Sequence, residues 1–324
     1  MATRGQPTEF VISDEGEPHS RRRRELLRAH PELRQLFGND PRTAWIVLAL
    51  VFAQLGLAAF VPRLPLWGFL AVTYLVGAVF NHWLAMGIHE ASHDLVLRGP
   101  RANRWLAMFA NIPLLIPSAM SFRRYHLDHH TYLGIHGRDN DLPTRPEARI
   151  VGNSPLRKAF WLLSFLFIAT LLRGFLKRPN RWEVLNMFTQ ALAVTAIGLA
   201  LGRGGLGYLL LSTFFGMGLH PVAAHWIHEH YLFEKGQETY SYYGPLNRVN
   251  FNVGYHNEHH DLMWIPGRFL PLIRETAPEF YSGLRSHDSW IGIPWRFVFD
   301  RGMSHFSRML RSYETFRRAQ RVAA

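Results

Sequence analysis

No cysteine occurs anywhere in the 324 residues. That removes disulfides, thiolate haem ligation, cysteine-bound iron–sulfur clusters and cysteine-containing zinc fingers in one step, and leaves the compartment open. Lysine is almost missing as well: beyond Lys158, Lys177 and Lys235, arginine carries a positive balance of 36 Lys+Arg against 24 Asp+Glu, a net charge of +12 and a pI of about 10.4. Charge of this kind serves nucleic acid, anionic lipid or acidic partners. The basic residues are scattered and no nucleic-acid-binding motif occurs, which argues against nucleic acid. There is no internal repeat and no low-complexity tract. The arginine run at 21–24 is not followed directly by a short apolar block and a small-residue cleavage site, so no signal peptide is expected. The start Met1-Ala2 offers no glycine for N-myristoylation.

What is present is apolar sequence in blocks. Hydrophobic residues make up 48 %, yet mean hydropathy is only -0.06, as in a small polytopic membrane protein with a sizeable aqueous part. A spanning helix needs about 20 apolar residues. Residues 44–61 and 66–88 meet that length around a Pro62–Pro65 break, and 184–201 and 206–222 meet it around a break at 202–205. The expected fold is an all-α integral membrane protein: four transmembrane helices in two hairpins, plus interfacial helices and a cytoplasmic histidine-rich cap. The apolar but short and proline-punctuated stretch 105–116 reads as interfacial or re-entrant, and 160–172, basic at both ends, as a helix lying in the interface. The arginine-rich N-terminus puts its own side in the cytoplasm, where it forms a solvated amphipathic helix or a stretch drawn to anionic headgroups. The expected parts are a cytoplasmic segment 1–43, a membrane domain 44–310 with its cap at 89–183 and 223–310, and a polar tail 311–324.

Histidine is over-represented, with 18 residues, and it is clustered. His89 and His93 lie four apart at the end of the second span, a spacing that shares one helix face. His126, His129 and His130 form an HxxHH run, as do His256, His259 and His260, and each run is expected to offer three nitrogens in one direction. A fourth group, His225, His228 and His230, follows the last span. Dense imidazoles repel once protonated, which makes the arrangement costly without a metal. One ion needs four to six ligands, so eight or nine imidazoles point to two ions. Imidazole suits Zn, Cu, Fe and Ni. The carboxylates Glu90, Asp94, Asp128, Glu258 and Asp261 are placed to accept from ligand N–H groups. The string His89-Glu90-Ala91-Ser92-His93 also fits the HExxH signature of zinc metalloproteases, with Glu90 as general base, a reading that leaves six clustered histidines unused.

The three clusters resemble the histidine boxes of membrane lipid desaturases and hydroxylases. The surrounding strings go further: RYHLDHH at 124–130, DNDLPT at 139–144, Glu229-His230-Tyr231, ETYSYYGPLN at 238–247, FNVGYHNEHHD at 251–261, IPG at 265–267, LPL at 270–272, SHFSRM at 304–309, and PHSRRR at 18–23 with Asp40-Pro41. These resemble the sphingolipid 4-desaturases, also called dihydroceramide desaturases, over nearly the whole chain. The resemblance implies an oxidoreductase that uses two iron ions, O2 and two electrons to place a 4,5 double bond in the sphinganine backbone of dihydroceramide, giving ceramide. The alternatives are a sphinganine C4-hydroxylase or another acyl-lipid desaturase. By motif match the iron ligands, and the catalytic residues, are His89, His93, His126, His129, His130, His256, His259 and His260. The Glu-His-Tyr setting favours His230 as ninth ligand, with His225 the alternative. His228, Asp94 and Met263-Trp264 depart from the family pattern without removing a ligand.

No His-Pro-Gly-Gly haem string is present, so the electrons are expected from a separate carrier of cytochrome b5 or ferredoxin type. The expected partners are thus a ceramide-type lipid, the bilayer and that carrier. The clusters are expected on the cytoplasmic side, of the endoplasmic reticulum in a eukaryote or the inner membrane in a bacterium. An apolar tunnel is expected to hold the acyl chain dry near the metals, with Trp83, Phe109, Tyr125 and Trp226 as candidate lining.

Overall fold

The computed structural model describes residues 7–173, 177–218 and 220–323. The start Met1-Ala2 and residues 174–176, in the basic flank expected beyond 172, lie outside them. The chain is mostly helical. Among the described residues the strands are two parallel pairs of two residues each, Val11–Ile12 on Met309–Leu310 and Ser241–Tyr242 on Ser286–His287.

Among the described residues three helices are long and apolar enough to cross a membrane, Arg42–Arg63, Leu66–Ser92 and Arg181–Gly216, or up to four if the bent pair Pro100–Leu114 and Ala119–Tyr132 is one span. All three expose large apolar side chains, among them Trp45, Phe52, Trp67, Leu75, Phe188 and Leu199. Such an exterior suits lipid better than water. The second helix carries a π turn at Thr73–Gly77 and runs on through His89.

The third helix is folded on itself. Gly202 breaks it with φ 65° and ψ -169°, a conformation that glycine adopts without steric cost. Hydrogen bonds on either side show how far the chain turns. Gln190 donates to the carbonyl of Ile112 and Thr213 to that of Leu114, both at 3.1 Å. In a straight helix those two donors would stand about 34 Å apart, whereas carbonyls two residues apart span no more than about 7 Å. The arms on either side of Gly202 therefore fold back on one another. The second arm is shorter than expected and stops at Gly216, followed by a 3-10 turn at Pro221–Ala224. At Gly216 the backbones touch: a Cβ there would lie 2.3 Å from the Ala78 carbonyl oxygen.

The stretch expected to be re-entrant is bent. Pro100–Leu114 and Ala119–Tyr132 meet at 118°. Asn111 pins the bend, accepting from the amides of Ser118 and Ala119 at 3.0 Å and donating to Ile116 O at 2.7 Å. The segment 160–172 belongs to a helix over Pro155–Arg173.

A buried polar network joins these helices inside the apolar layer. Gln54 donates to Asn81 Oδ1 at 2.8 Å and to Gly77 O at 3.0 Å, and it accepts from the Tyr208 hydroxyl at 3.0 Å. Asn81 in turn donates to Thr213 Oγ1 at 2.8 Å and to the Leu209 and Pro113 carbonyls at 3.3 Å. Each group satisfies another where water is absent.

The N- and C-terminal segments close over the end of the bundle where Arg42 begins and Ser92 ends. Asp40 N bonds Leu95 O at 2.8 Å. Helix Pro18–Ala29 packs on His256–Asp261, so Arg22, with a side chain only 13 % exposed, is not on a solvated face. The expected polar tail begins inside this cap. Arg311 is buried, forms an ion pair with Glu238 and bridges to Ile135.

Replacing Asn81 by Ala strands several buried partners. Asn81→Ala is expected to lower stability by about 1–2 kcal/mol, read as a lower melting temperature in detergent; an unchanged melting temperature would contradict the network's role.

Candidate metal centre

Each histidine cluster sits at a helix end, and neighbouring segments fix its angle. The Leu66–Ser92 helix presents His89 on its last turn, and His93 follows as its cap. Arg123, from the second box helix, donates to the Ala91 and Ser92 carbonyls at 3.0 and 2.5 Å and grips the Asp94 carboxylate at 2.9 and 2.8 Å. It thereby satisfies carbonyls that the helix end leaves open. Helix Ala119–Tyr132 carries the second cluster. It is tied to the Arg181–Gly216 helix through a capping box, in which Asn180 accepts from Glu183 N, Glu183 accepts from Asn180 N, and Arg124 pairs with Glu183 at 3.0 Å. The short helix His256–Asp261 carries the third.

Two groups of nitrogens result. His89, His93, His126, His130 and His259 form one, and His129, His230 and His260 the other, with the ligand atoms of each within 4.8 Å of one another. His256 joins the second, its Nε2 lying 2.9 Å from His230 Nε2. All nine nominated histidines are thus in the two groups. The expectation that each HxxHH run points three nitrogens one way is corrected: His126 and His130 face the first group and His129 the second, while His259 faces the first and His256 and His260 the second. Positions i+3 and i+4 lie about 100° apart around a helix, so one run reaches two neighbouring sites.

The donor set fits metal ions. Nε2 atoms meet at 2.9 Å (His93 and His126), 3.1 Å (His126 and His130) and 3.1 Å (His130 and His259) in the first group, and at 3.0 Å (His129 and His230) and 3.2 Å (His230 and His260) in the second. A neutral imidazole has one N–H, so a ring of such contacts leaves lone pairs facing one another. Adjacent nitrogens of a six-coordinate ion with bonds of about 2.1 Å lie about 3.0 Å apart. His89 Nε2 is buried without a hydrogen-bond partner. Burial, and then the other imidazoles, push the pKa of His93, His126, His130, His256 and His260 well below the ordinary histidine value. That direction favours the neutral form, the form in which an imidazole binds a metal. His129 is the exception. Burial lowers its pKa, but Asp139, accepting from Nδ1 at 2.9 Å, outweighs that and raises it.

Asp139, the first residue of the DNDLPT string, is not among the carboxylates that the sequence placed beside the histidines. It also accepts from the amides of Gly134 at 2.8 Å and Asp141 at 2.9 Å, which fixes the carboxylate and, through it, the His129 ring. The carboxylates inside the boxes are engaged mainly elsewhere, although Glu90 Oε1 lies 3.6 Å from His89 Nδ1. Glu90 accepts from Gly267 N at 2.8 Å, Asp94 pairs with Arg123, Asp128 with Lys177, Glu258 accepts from Ser241 and Tyr243, and Asp261 from His19, Arg22 and Tyr281. The Glu229 carboxylate lies 3.4 Å from His256 Nδ1.

His225 lies outside both groups, its ring 4.7 Å from His82 and 4.0 Å from Trp226. His228 packs 5.3 Å from Trp290 and donates to His225 O. A cavity of about 440 Å³ opens beside His93, lined by Asn39, Asp94, Leu127, Met263 and Trp264 among others. None of the four aromatic tunnel candidates lines it. Trp83, Phe109 and Trp226 flank one apolar cluster, and Tyr125 stacks under Lys177.

The profile of the family "Fatty acid desaturase" matches residues 65–291, and that of "Sphingolipid Delta4-desaturase (DES)" matches residues 6–42. The chain is 46 % identical over 310 residues to the Homo sapiens "Sphingolipid delta(4)-desaturase/C4-monooxygenase DES2", covering 94 % of this chain and 95 % of that one. It is 44 % identical over 306 residues to the Oryza sativa subsp. japonica "Sphingolipid delta(4)-desaturase DES1-like", covering 94 % and 93 %. The Homo sapiens "Sphingolipid delta(4)-desaturase DES1" is 43 % identical over 307 residues, 94 % of each.

The chain belongs to the sphingolipid delta(4)-desaturase family. In this family member the two profiles divide the site between them: 65–291 contains all nine clustered histidines, and 6–42 contains the helix that packs on the third box.

The two candidates for the ninth ligand separate by metal content. His230→Ala is expected to lower bound metal below the wild-type ratio per folded chain, while His225→Gln leaves it unchanged, measured by elemental analysis of the purified protein. Loss of metal in His225→Gln with retention in His230→Ala would reverse the assignment.

Proposed function

We propose that this protein is an O2-dependent di-iron sphingolipid 4-desaturase that converts dihydroceramide to ceramide by removing one hydrogen from each of C4 and C5 of the sphinganine backbone. The observation that carries the reading is the convergence of nine imidazoles, six buried and three half-buried, in two groups on a chain 43–46 % identical to relatives named for this activity. His89, His93, His126, His130 and His259 would hold one ion, and His129, His230, His256 and His260 the other. Bound iron would supply O2 activation and an oxidant able to attack an unactivated C–H bond.

The remaining work falls to the chain itself. Asp139 keeps the His129 ring turned so that Nε2 faces inward. Phe122 stacks on His126 at 4.9 Å with an interplanar angle of 13° and shields that edge from water. Glu90, the general base of the protease reading, is buried and engaged by Gly267 N. The arginine-rich N-terminus favours a cytoplasmic site beneath four spans, supplied with two electrons by a separate carrier of cytochrome b5 or ferredoxin type.

The name of the human relative at 46 % identity includes C4-monooxygenase. It supports a second reading, in which the same site delivers a hydroxyl group to C4.

Labelled dihydroceramide and free sphinganine, fed to a host expressing the chain and followed by lipid mass spectrometry, separate these readings. A product two hydrogens lighter marks desaturation, and one oxygen heavier marks hydroxylation. His129→Ala is expected to insert normally and lose turnover by orders of magnitude. Full turnover in that variant would contradict the site.

A further inference from the structure

His19 lies far in sequence from every histidine box, yet it is buried, 2 % exposed, against the third. Three residues on one face of helix Pro18–Ala29, at spacings i, i+3 and i+4, all address the end of His256–Asp261. His19 Nδ1 bonds Asp261 Oδ1 at 2.8 Å. Arg22 bonds Asp261 Oδ2 at 2.6 Å and Asn257 Oδ1 at 2.9 Å. Arg23 donates to Asp261 O at 2.7 Å and His260 O at 3.1 Å, closing carbonyls that a helix C-terminus leaves open.

The far side of the His19 ring continues the path. Its Nε2 lies 2.9 Å from Thr239 Oγ1, and that oxygen lies 3.4 Å from His230 Nδ1. The donor sense is fixed from one end. His19 Nδ1 faces the Asp261 carboxylate, which only accepts, at 2.8 Å, and Arg22 Nη2, which also donates to Asn257 Oδ1, at 3.1 Å; the shorter contact to the carboxylate assigns the proton to Nδ1, and Nε2 of the neutral ring accepts from the Thr239 hydroxyl. The Thr239 oxygen is then free to accept from His230 Nδ1–H. That leaves the lone pair of His230 on Nε2, the atom that meets His129, His256 and His260.

We propose that His19 is a positioning residue for the second metal group, holding the tautomer and ring angle of His230 through the path Asp261–His19–Thr239–His230. The N-terminal segment is thereby part of the metal centre without supplying a ligand. Bonds that run in one donor sense reinforce one another, and partners of this kind support metal affinity by about 10–100-fold. The inference rests on the two-ion reading above.

The test is metal release from the purified holoprotein to an excess of a chromophoric iron chelator. His19→Phe keeps a planar ring and removes both hydrogen bonds; Thr239→Val removes only the hydroxyl. Each is expected to release one of two iron equivalents about 10-fold faster than wild type while the other leaves at the wild-type rate. The double variant should be no faster than either single, because both cut the same path. Wild-type release in Thr239→Val, equal acceleration of both irons, or additive effects in the double variant would overturn the proposal. Thr239→Val carries the test alone if His19→Phe does not give a monodisperse protein. A wild-type protein holding fewer than two irons would overturn the di-iron reading and this inference with it; two irons with wild-type release in the variants would overturn this inference alone.

Discussion

Nine imidazole nitrogens are brought so close together that their lone pairs confront one another, and the rest of the structure is arranged around that constraint. Nitrogens about 3 Å apart in a buried pocket repel unless a cation sits among them. Neutral rings remove the cost of charging the site but not the mutual repulsion of the lone pairs. The chain holds the arrangement with directed contacts at the ends of its box helices. Arg123 caps the first box helix, Arg124 ties the second to the Asn180–Glu183 capping box, and Arg23 closes the third. The arginine excess, which by composition alone suits several partners, is partly spent here, where a planar guanidinium reaches two acceptors at once.

The membrane helices contribute in a second way. The first box lies at the end of Leu66–Ser92, which is joined within the apolar layer to the other long helices through Gln54, Asn81 and Thr213. Polar side chains there have no water to fall back on, so they fix relative depth and rotation more firmly than apolar packing does. The break at Gly202 returns the last arm toward the histidine end, which brings His230 within reach of residues carried on segments a hundred positions away.

Much of this was legible in the sequence. The nine nitrogens followed from HxxxH and HxxHH spacing together with the family resemblance, and both halves of the Gly202 turn from hydropathy and glycine content. How each HxxHH run divides between two sites was not, because shared helical spacing does not reveal that two sites lie side by side. The partners of the ligands were missed in both directions. Asp128 and Glu258, adjacent to clustered histidines in sequence, engage Lys177 and Ser241 instead, whereas Asp139 and His19 reach the site from a loop and a distant helix. Their contacts span |i−j| of 10 and 242, separations at which periodicity carries no signal. The fourth apolar stretch was read too long: the helix stops at Gly216, ahead of the 3-10 turn at Pro221–Ala224.

X-ray absorption at the iron edge of the purified wild-type protein tests the central claim most directly. The account predicts a light-atom first shell at about 2.1 Å with strong multiple scattering from imidazole rings at both ions. A shell dominated by carboxylate oxygen with little imidazole scattering would contradict it.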